Sequence, residues 1–419
     1  MKLLRSITTI GGASVLSQLI GALSVWSLSH KFDMAAVGLY ALSYSLVLIG
    51  AQLATFASQL LLPKLEEAEL PGNLIFSLLQ VWLLPIPYVL VVVCFFSLPL
   101  WPLYLLTVTH GLILIAENLA LRAGHYQRLG LQRISASAVV LLCLLLAPDM
   151  VHFYQLWACL LLLVIGGWLW SAFAWHSAML REASPRRLLH FFSRHKAHLA
   201  GVGSAEVLAM VTANLPTVLI NFWFSPLVAG YFAVVNRFCL APVVIVGNAI
   251  RHSIFSRWSE DFRQRRFNGE EFRKVKRLLL AMGSAATLGI LICYPLVMKW
   301  FFNAEWIASI DTSRYMLPYV FTAVAICPLT VIELVFGSPG YFLRIQLEQL
   351  LVVVIAFVLL PWLQQEYELC VLAFSLLTAV RYGFVFLRVN RRAAELQGRM
   401  ELAQWTVPLS CRPICCCRW

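Results

Sequence analysis

Charged side chains set inside long apolar runs are the residues of this chain with chemistry to do. Arg237 follows Asn236, eleven residues into the run that opens at Pro226, a depth of about 16 Å at helical rise. Arg381 sits about two turns from the end of the last run, and His110 is central in an earlier one. In hydrocarbon an ionised group costs several kcal/mol unless it is paired or hydrated. No carboxylate occurs at the depth of the two arginines. They therefore require a water-filled cavity or an anionic ligand, and the planar guanidinium fork suits phosphate oxygens. A cavity lined only by water and backbone carbonyls is the competing reading. Four acids, Glu117, Glu206, Glu333 and Glu348, lie closer to run ends, where snorkelling or local pairing can satisfy them. Glu348 is four residues from Arg344, a spacing that places both on one helix face. Glu117 lies two helical turns from His110 on nearly the same face, which would make a proton-sensitive strip. Glu117, His110 and Glu333 are the candidates for ion coupling.

The elements that must hold these groups are membrane helices. Hydrophobic residues are 61% of the 419-residue chain and charged residues 12%, more apolar surface than one soluble core can hide. In lipid the backbone must satisfy its own hydrogen bonds, through helices or a closed barrel. The apolar runs are too long for barrel strands and lack their alternation, so the fold expected is an all-α polytopic membrane protein of about twelve spans. These fall at 7–28, 36–62, 74–98, 101–121, 134–147 and 154–173, then 200–220, 226–250, 278–300, 315–336, 346–363 and 369–387. The fifth is short, with Arg133 expected to snorkel at its start. Of the 32 basic residues, 27 fall in alternate gaps that include both termini, which places both termini in the cytoplasm. The net charge of +12 is thereby the charge of cytoplasmic loops facing anionic lipid, and nucleic acid is not needed to explain it.

A shift of 192 residues aligns the chain with itself. Gly11, Ala13, Val15 and Leu16 meet Gly203, Ala205, Val207 and Leu208, and Phe32 and Gly38 meet Phe224 and Gly230. The shared Phe and Gly fall at the short hairpin between the first two spans of each six-span half. An even number of spans separates the equivalents, so the halves share one polarity, as in two-lobed transporters that alternate access. The expected organisation is an N-terminal lobe at 1–177, a linker at 178–199, a C-terminal lobe at 200–387 and a tail at 388–419. The linker is amphipathic around 188–192, which suits either a helix on the membrane surface or a solvated connector.

No site for covalent chemistry stands out, since the chain lacks a phosphate-cradling glycine loop, a paired metal motif or a nucleophile elbow. The gaps on the outer face are short, the longest at 301–313. Transport is the expected activity, with no cofactor and no resident metal. Ser14, Ser17, Gln18 and Gly21 on the first span, and Thr212 and Asn214 on the seventh, extend a polar chamber toward Asn236 and Arg237. Pro85, Pro87, Pro216 and Pro242 are positions where spans can bend. Cys411, Cys415, Cys416 and Cys417 crowd the tail, open to metal binding, to acylation or to no structural role.

The segment 5–18, RSITTIGGASVLSQ, resembles the start of bacterial polysaccharide transporters, the Wzx-type flippases of the MOP exporter superfamily. So does 60–74, where an apolar run ends in Pro63-Lys64 and an acidic loop. The segment 214–255 is most similar, with Leu215-Pro216, Ala229-Gly230-Tyr231, Arg237 and Leu240-Ala241-Pro242 in the family's order. The likeness runs through spans one to ten and departs at Gln59, where many relatives carry a charged patch. It implies a flippase for undecaprenyl-pyrophosphate-linked oligosaccharide, the repeat unit of O antigen in lipopolysaccharide, of capsule or of exopolysaccharide, in the bacterial inner membrane. It further implies two lobes alternating access around a cationic cavity, coupled to a proton or sodium gradient. On this chain Arg237 would be the main headgroup ligand, with Arg381, His110, Asn236, Asn214 and Gln18 around it. A glycan polymerase and a chain-length regulator would be its partners. Two other activities compete: a multidrug or metabolite antiporter of the same architecture, which would want an acidic cavity, and a membrane-embedded glycan polymerase, which would want larger outer loops.

Overall fold

The first two spans of each half begin in the same way, and that shared start organises the molecule. In the computed structural model Asp33 caps the helix Met34–Thr55, its Oδ1 accepting the Ala36 amide at 2.7 Å. Ser225, 192 residues on, caps the helix that opens at Pro226, its Oγ accepting the Val228 amide at 3.3 Å. Each side-chain oxygen satisfies one of the amides that a helix start leaves open, and Pro226 at the first helical position has no amide to leave unpaired. The structure describes residues 2–63, 65–67, 69–172, 185–240, 266–302, 304–336 and 340–405, with Gly247, Ile250, Arg251, Ile254, Arg257, Trp258 and Asp261. Lys64, Pro242, residues 178–184 of the expected linker and residues 406–419, with the clustered cysteines, lie outside them.

Among the described residues the fold is all helical. Ten helices are long and apolar enough to cross a bilayer, and a bent pair makes an eleventh. The eighth apolar segment is described as a helix over Pro226–Leu240. Several spans differ from the sequence expectation for visible reasons. The second stops at Thr55 rather than at 62, because Phe56 and Ala57 take left-handed backbone angles (φ 42° and 60°) and turn the chain into a short 3-10 segment. The third breaks at Leu84, where Pro85 starts a new helix, Pro85–Phe95. The fifth is not short: it runs over Tyr126–Leu146, so Arg133 lies two turns inside the helix rather than at its start. The segment expected as the longest outer loop is helical. Ala304–Tyr315 meets Leu317–Glu333 at a 52° bend, with Trp306 and Ile310 buried beneath. The last helix continues past 387 to Trp405, with Val389, Ala393 and Leu396 buried, so part of the expected tail packs as helix.

The linker forms a helix, Pro185–His198, that is anchored on the N-terminal lobe. Phe191 packs on Phe76 at 5.3 Å between ring centroids, in a small cluster with Leu61 and Leu199, and Arg194 pairs with Glu69. Its Leu189 and Phe192 stay exposed, so one face docks on protein and another remains free for lipid. Outside the spans, Asp149 accepts the His152 amide at 2.9 Å at the head of the sixth helix, which holds its carboxyl below the usual carboxylate range.

The lobes meet at the hairpin end, around a pseudo-two-fold axis. A Cβ on Gly38 would collide with the carbonyl oxygen of Pro226, and a Cβ on Gly230 would lie 2.8 Å from the carbonyl oxygen of Met34. Gly38 and Gly230 are 192 residues apart, as are Met34 and Pro226, so one contact is made twice in mirror roles. Asn221 Nδ2 donates to the Gly38 carbonyl at 3.3 Å, and Trp26 Nε1 donates to the Phe301 carbonyl at 3.2 Å, tying the lobes at the same end. Lys31 Nζ donates to the Leu144 and Leu145 carbonyls at 2.8 and 3.0 Å, which closes the end of the fifth span inside its own lobe. The second and eighth helices approach so closely only because no side chain stands between them. Gly38→Val is expected to lower the thermal midpoint of the detergent-solubilised protein, by about 1–3 kcal/mol of overpacking. Gly12→Ala, at a position with nothing within 4 Å, leaves it unchanged. An unaltered midpoint for Gly38→Val would show that the crossing is looser than described.

Candidate functional site

Residues related by the same 192-residue shift line one cavity from opposite sides. Gly21 and Ala213, Val25 and Thr217, Ala41 and Ala233, Tyr44 and Asn236, and Ser45 and Arg237 all border it. The cavity therefore lies on the pseudo-two-fold axis, between the lobes, beside the glycine crossing. Its volume is about 620 Å³, enough for a headgroup but not for a lipid tail as well.

Arg237 is the charged centre of the eighth helix's contribution. It belongs to a widened stretch, Asn236–Leu240, where the backbone leaves α-helical for π-helical spacing. Such bulges re-aim side chains and recur at functional positions. The guanidinium reaches across the axis to the first span and occupies the space that a side chain at Gly21 would fill. Its Nε is buried with no hydrogen-bond partner, and no carboxylate forms an ion pair with it among the described residues. Tyr40 and Tyr44 line the same cavity. A half-buried cation at this depth without a counter-ion is costly in lipid, so this cavity must admit water or an anion.

A second arginine enters from the fifth span. Arg133, expected to snorkel at a membrane surface, lines the cavity instead. Its Nε donates to Glu117 Oε1 at 2.9 Å and its Nη1 to Ser14 Oγ at 3.1 Å. The fifth span is also held to the first by Ser17 and Ser137, whose hydroxyls are 2.5 Å apart. Glu117 thus neutralises Arg133, while Arg237 keeps its full positive charge. The cavity lining holds no carboxylate among the described residues.

The expected site residues divide by where they fall. Gln18, His110, Asn214, Asn236 and Arg237 share the cavity, with Ser14 and Gly21. Asn214 is tied to its own helix through Nδ2 to the Met210 carbonyl at 2.9 Å. His110 packs edge-on against Tyr44 and Trp157, at 5.7 and 6.3 Å between centroids. Its Nδ1 meets the Leu106 carbonyl at 2.9 Å; a carbonyl only accepts, so Nδ1 carries the hydrogen and Nε2 is left as the acceptor. The expected His110–Glu117 strip does not form as a unit, because Glu117 turns to Arg133. Arg381 is not brought to the cavity. It is buried in the C-terminal lobe, with Nη1 donating to the Ile345 carbonyl at 3.2 Å and its guanidinium 4.3 Å over the Tyr382 ring. Glu333 is also elsewhere, paired with Arg388 at 3.4 Å. Glu348 pairs with Arg344 at 2.8 Å, as its spacing implied.

No protein-family model matches the chain, and no curated protein sequence does either. Solved structures do match. An inward-facing multidrug resistance transporter of the MATE family superposes with a TM-score of 0.66 at 12% identity, over 92% of this chain and 96% of its own. The lipid II flippase MurJ, in an inward closed conformation, superposes with a TM-score of 0.68 at 10% identity, over 97% and 93%. A MOP superfamily transporter from Pyrococcus furiosus, noted for reverse polarity of its binding pocket, gives 0.60 at 12% identity, over 94% and 96%. The chain shares its fold with these three transporters. At these identities the likeness fixes architecture, and the chemistry of the cavity has to come from this chain's own residues.

If the cavity is wet, cysteines placed in its wall will react with a membrane-impermeant maleimide and lipid-facing ones will not. Ser14→Cys, Gln18→Cys and Asn236→Cys are expected to label in the assembled protein, while Leu19→Cys, on the lipid face of the same first span, is not. Equal protection of all four would show a dry interface.

Proposed function

We propose that this protein exports a lipid-linked anionic glycan precursor by alternating access, carrying the pyrophosphate and its first sugars through the central cavity. The observation that carries this reading is Arg237, a half-buried cation on the two-fold axis whose Nε is buried and unpartnered and which no carboxylate faces among the described residues. A diphosphate supplies the missing counter-charge and bidentate oxygens. Gln18, Asn214 and Asn236 add neutral donors and acceptors at the same level, and Tyr40 and Tyr44 supply an aromatic wall. The lipid tail stays outside, because the cavity has room for the headgroup alone.

The resemblance of segments 5–18 and 214–255 to Wzx-type flippases, and the shared fold with a lipid II flippase, support undecaprenyl-pyrophosphate-linked oligosaccharide as the substrate class. The reading places the protein in a bacterial inner membrane with both termini cytoplasmic, so that the sealed hairpin end faces outward and the structure represents an inward state. A glycan polymerase and a chain-length regulator would act on the delivered units. The Glu117–Arg133 pair is the proposed link to an ion gradient. Protonating Glu117 would release a second cation to the substrate. Organic cations are poor cargo for a cavity whose described lining carries arginines and no acid, which disfavours the drug-antiporter reading.

Deletion of the gene is expected to leave lipid-linked repeat units accumulating on the cytoplasmic face. Arg237→Ala should insert normally and abolish surface glycan, and Gly21→Ala should lower it by pushing the guanidinium aside without unfolding the chain. Normal surface glycan in Arg237→Ala would remove the role assigned to this arginine.

A further inference from the structure

A second basic pocket, sharing no lining residue with the central cavity, lies where the tenth and last spans end together. It encloses about 750 Å³ between Glu333, Phe384, Leu387, Arg388, Arg391, Arg392 and Glu395. Three guanidiniums face two carboxylates, so one positive charge is left over. Arg388 is held by Glu333 at 3.4 Å and lies 4.0 Å over the Tyr341 ring. Arg392 donates to the Phe336 carbonyl at 2.6 Å and to Glu395 at 3.3 Å, while its Nε is buried with no partner. Arg391 is exposed and makes no hydrogen bond or ion pair with the described residues.

What lies below these arginines identifies the ligand. Leu376, Val380, Phe384 and Leu387 are all exposed on the last helix. At about 100° per residue they form one stripe some 80° wide, and Arg391 falls within that stripe. From Leu376 to Arg391 the helix rises about 22 Å, close to the depth of one bilayer leaflet with its headgroup layer. An apolar track of leaflet length that ends in an unneutralised guanidinium matches a molecule with a hydrocarbon chain and a phosphate in the same order.

We propose that this pocket binds an anionic phospholipid, its phosphate on Arg391 and Arg388 and one acyl chain along Leu376, Val380, Phe384 and Leu387. Basic pockets between helix ends recognise anionic headgroups through paired charge and depth. The site is separate from the central cavity and would serve to hold the C-terminal lobe at a fixed height in the leaflet while the lobes move.

The test uses the purified full chain in detergent, titrated with dioleoyl phosphatidylglycerol, with dioleoyl phosphatidylcholine or with inorganic phosphate, reading the thermal midpoint and the lipid retained by mass. Phosphatidylglycerol is expected to bind more tightly than phosphatidylcholine. Arg391→Gln should weaken it about fivefold, as one guanidinium at a headgroup implies. Arg128→Gln removes the same charge from an exposed position elsewhere and should change nothing. The side chain of Arg391 makes no internal bond, so its removal spares the fold. Lipid retention by the unaltered chain also stands as an independent reading: no enrichment of phosphatidylglycerol over phosphatidylcholine overturns the proposal. So does an unchanged affinity in Arg391→Gln. Inorganic phosphate that displaces the lipid, or reproduces its shift alone, would mark a free-anion site and overturn it as well.

Discussion

A guanidinium that spans the axis of a membrane protein without a counter-ion constrains everything around it. Arg237 can stay charged only where water or an anion reaches it, so the lobes cannot pack shut at its level. The surroundings obey this. Gly21 yields the space for the guanidinium, and Ser14, Gln18, Ser45, Asn214 and Asn236 bring hydroxyls and amides from both lobes into the same cavity. Beside it, at the hairpin end, the requirement reverses. There Gly38 and Gly230 let two helix backbones meet directly, and the seal is complete enough that a single methyl would strike a carbonyl oxygen. Open polar space next to a glycine seal is the arrangement from which a two-lobed carrier can rock.

The internal repeat is the means by which one short sequence pattern produces both features. Asp33 and Ser225 cap corresponding helices, Met34 and Pro226 receive the opposing glycines, and Ser45 and Arg237 both line the cavity. Symmetry delivers the shape, and the departures from symmetry deliver the chemistry. Where one half keeps Ser45 the other has Arg237, and where one has Tyr44 the other has Asn236. The N-terminal half thus supplies hydroxyls and rings, and the C-terminal half supplies the charge. Arg133, an N-lobe cation, is cancelled by Glu117, which keeps the field of the cavity centred on one residue.

The span pattern, the repeat and seven of the cavity residues were legible in the sequence because each rests on periodicity, depth or composition, which a linear chain displays. Depth does not reveal which way a side chain faces. Arg381 and Arg237 look alike in the sequence, yet Arg381 turns into its own lobe to meet the Ile345 carbonyl and the Tyr382 ring. Glu333 was placed near a helix end and proves to belong to a different basic cluster. Arg133 was missed as a cavity residue because the charged stretch 126–133 shortened the apparent span. Its signal was present all the same: Glu117 and Arg133 stand at similar distances from the tight turn between neighbouring spans, where a pair forms readily. The bend at Met316 and the helical outer segment escaped because hydropathy registers length, and a helix lying against its own lobe carries the same residues as a loop that must be buried.

The central claim, that Arg237 provides the unmet positive charge for a lipid diphosphate, is tested most directly by binding. Purified protein would be titrated with undecaprenyl pyrophosphate and with uncharged undecaprenol, in parallel for the native chain and for Arg237→Ala. The account predicts that the native chain prefers the diphosphate at low salt, that the preference shrinks as salt rises, and that Arg237→Ala abolishes it while leaving undecaprenol binding as it was. Equal binding of the charged and neutral lipids by the native chain, or an undiminished preference in Arg237→Ala, would contradict it.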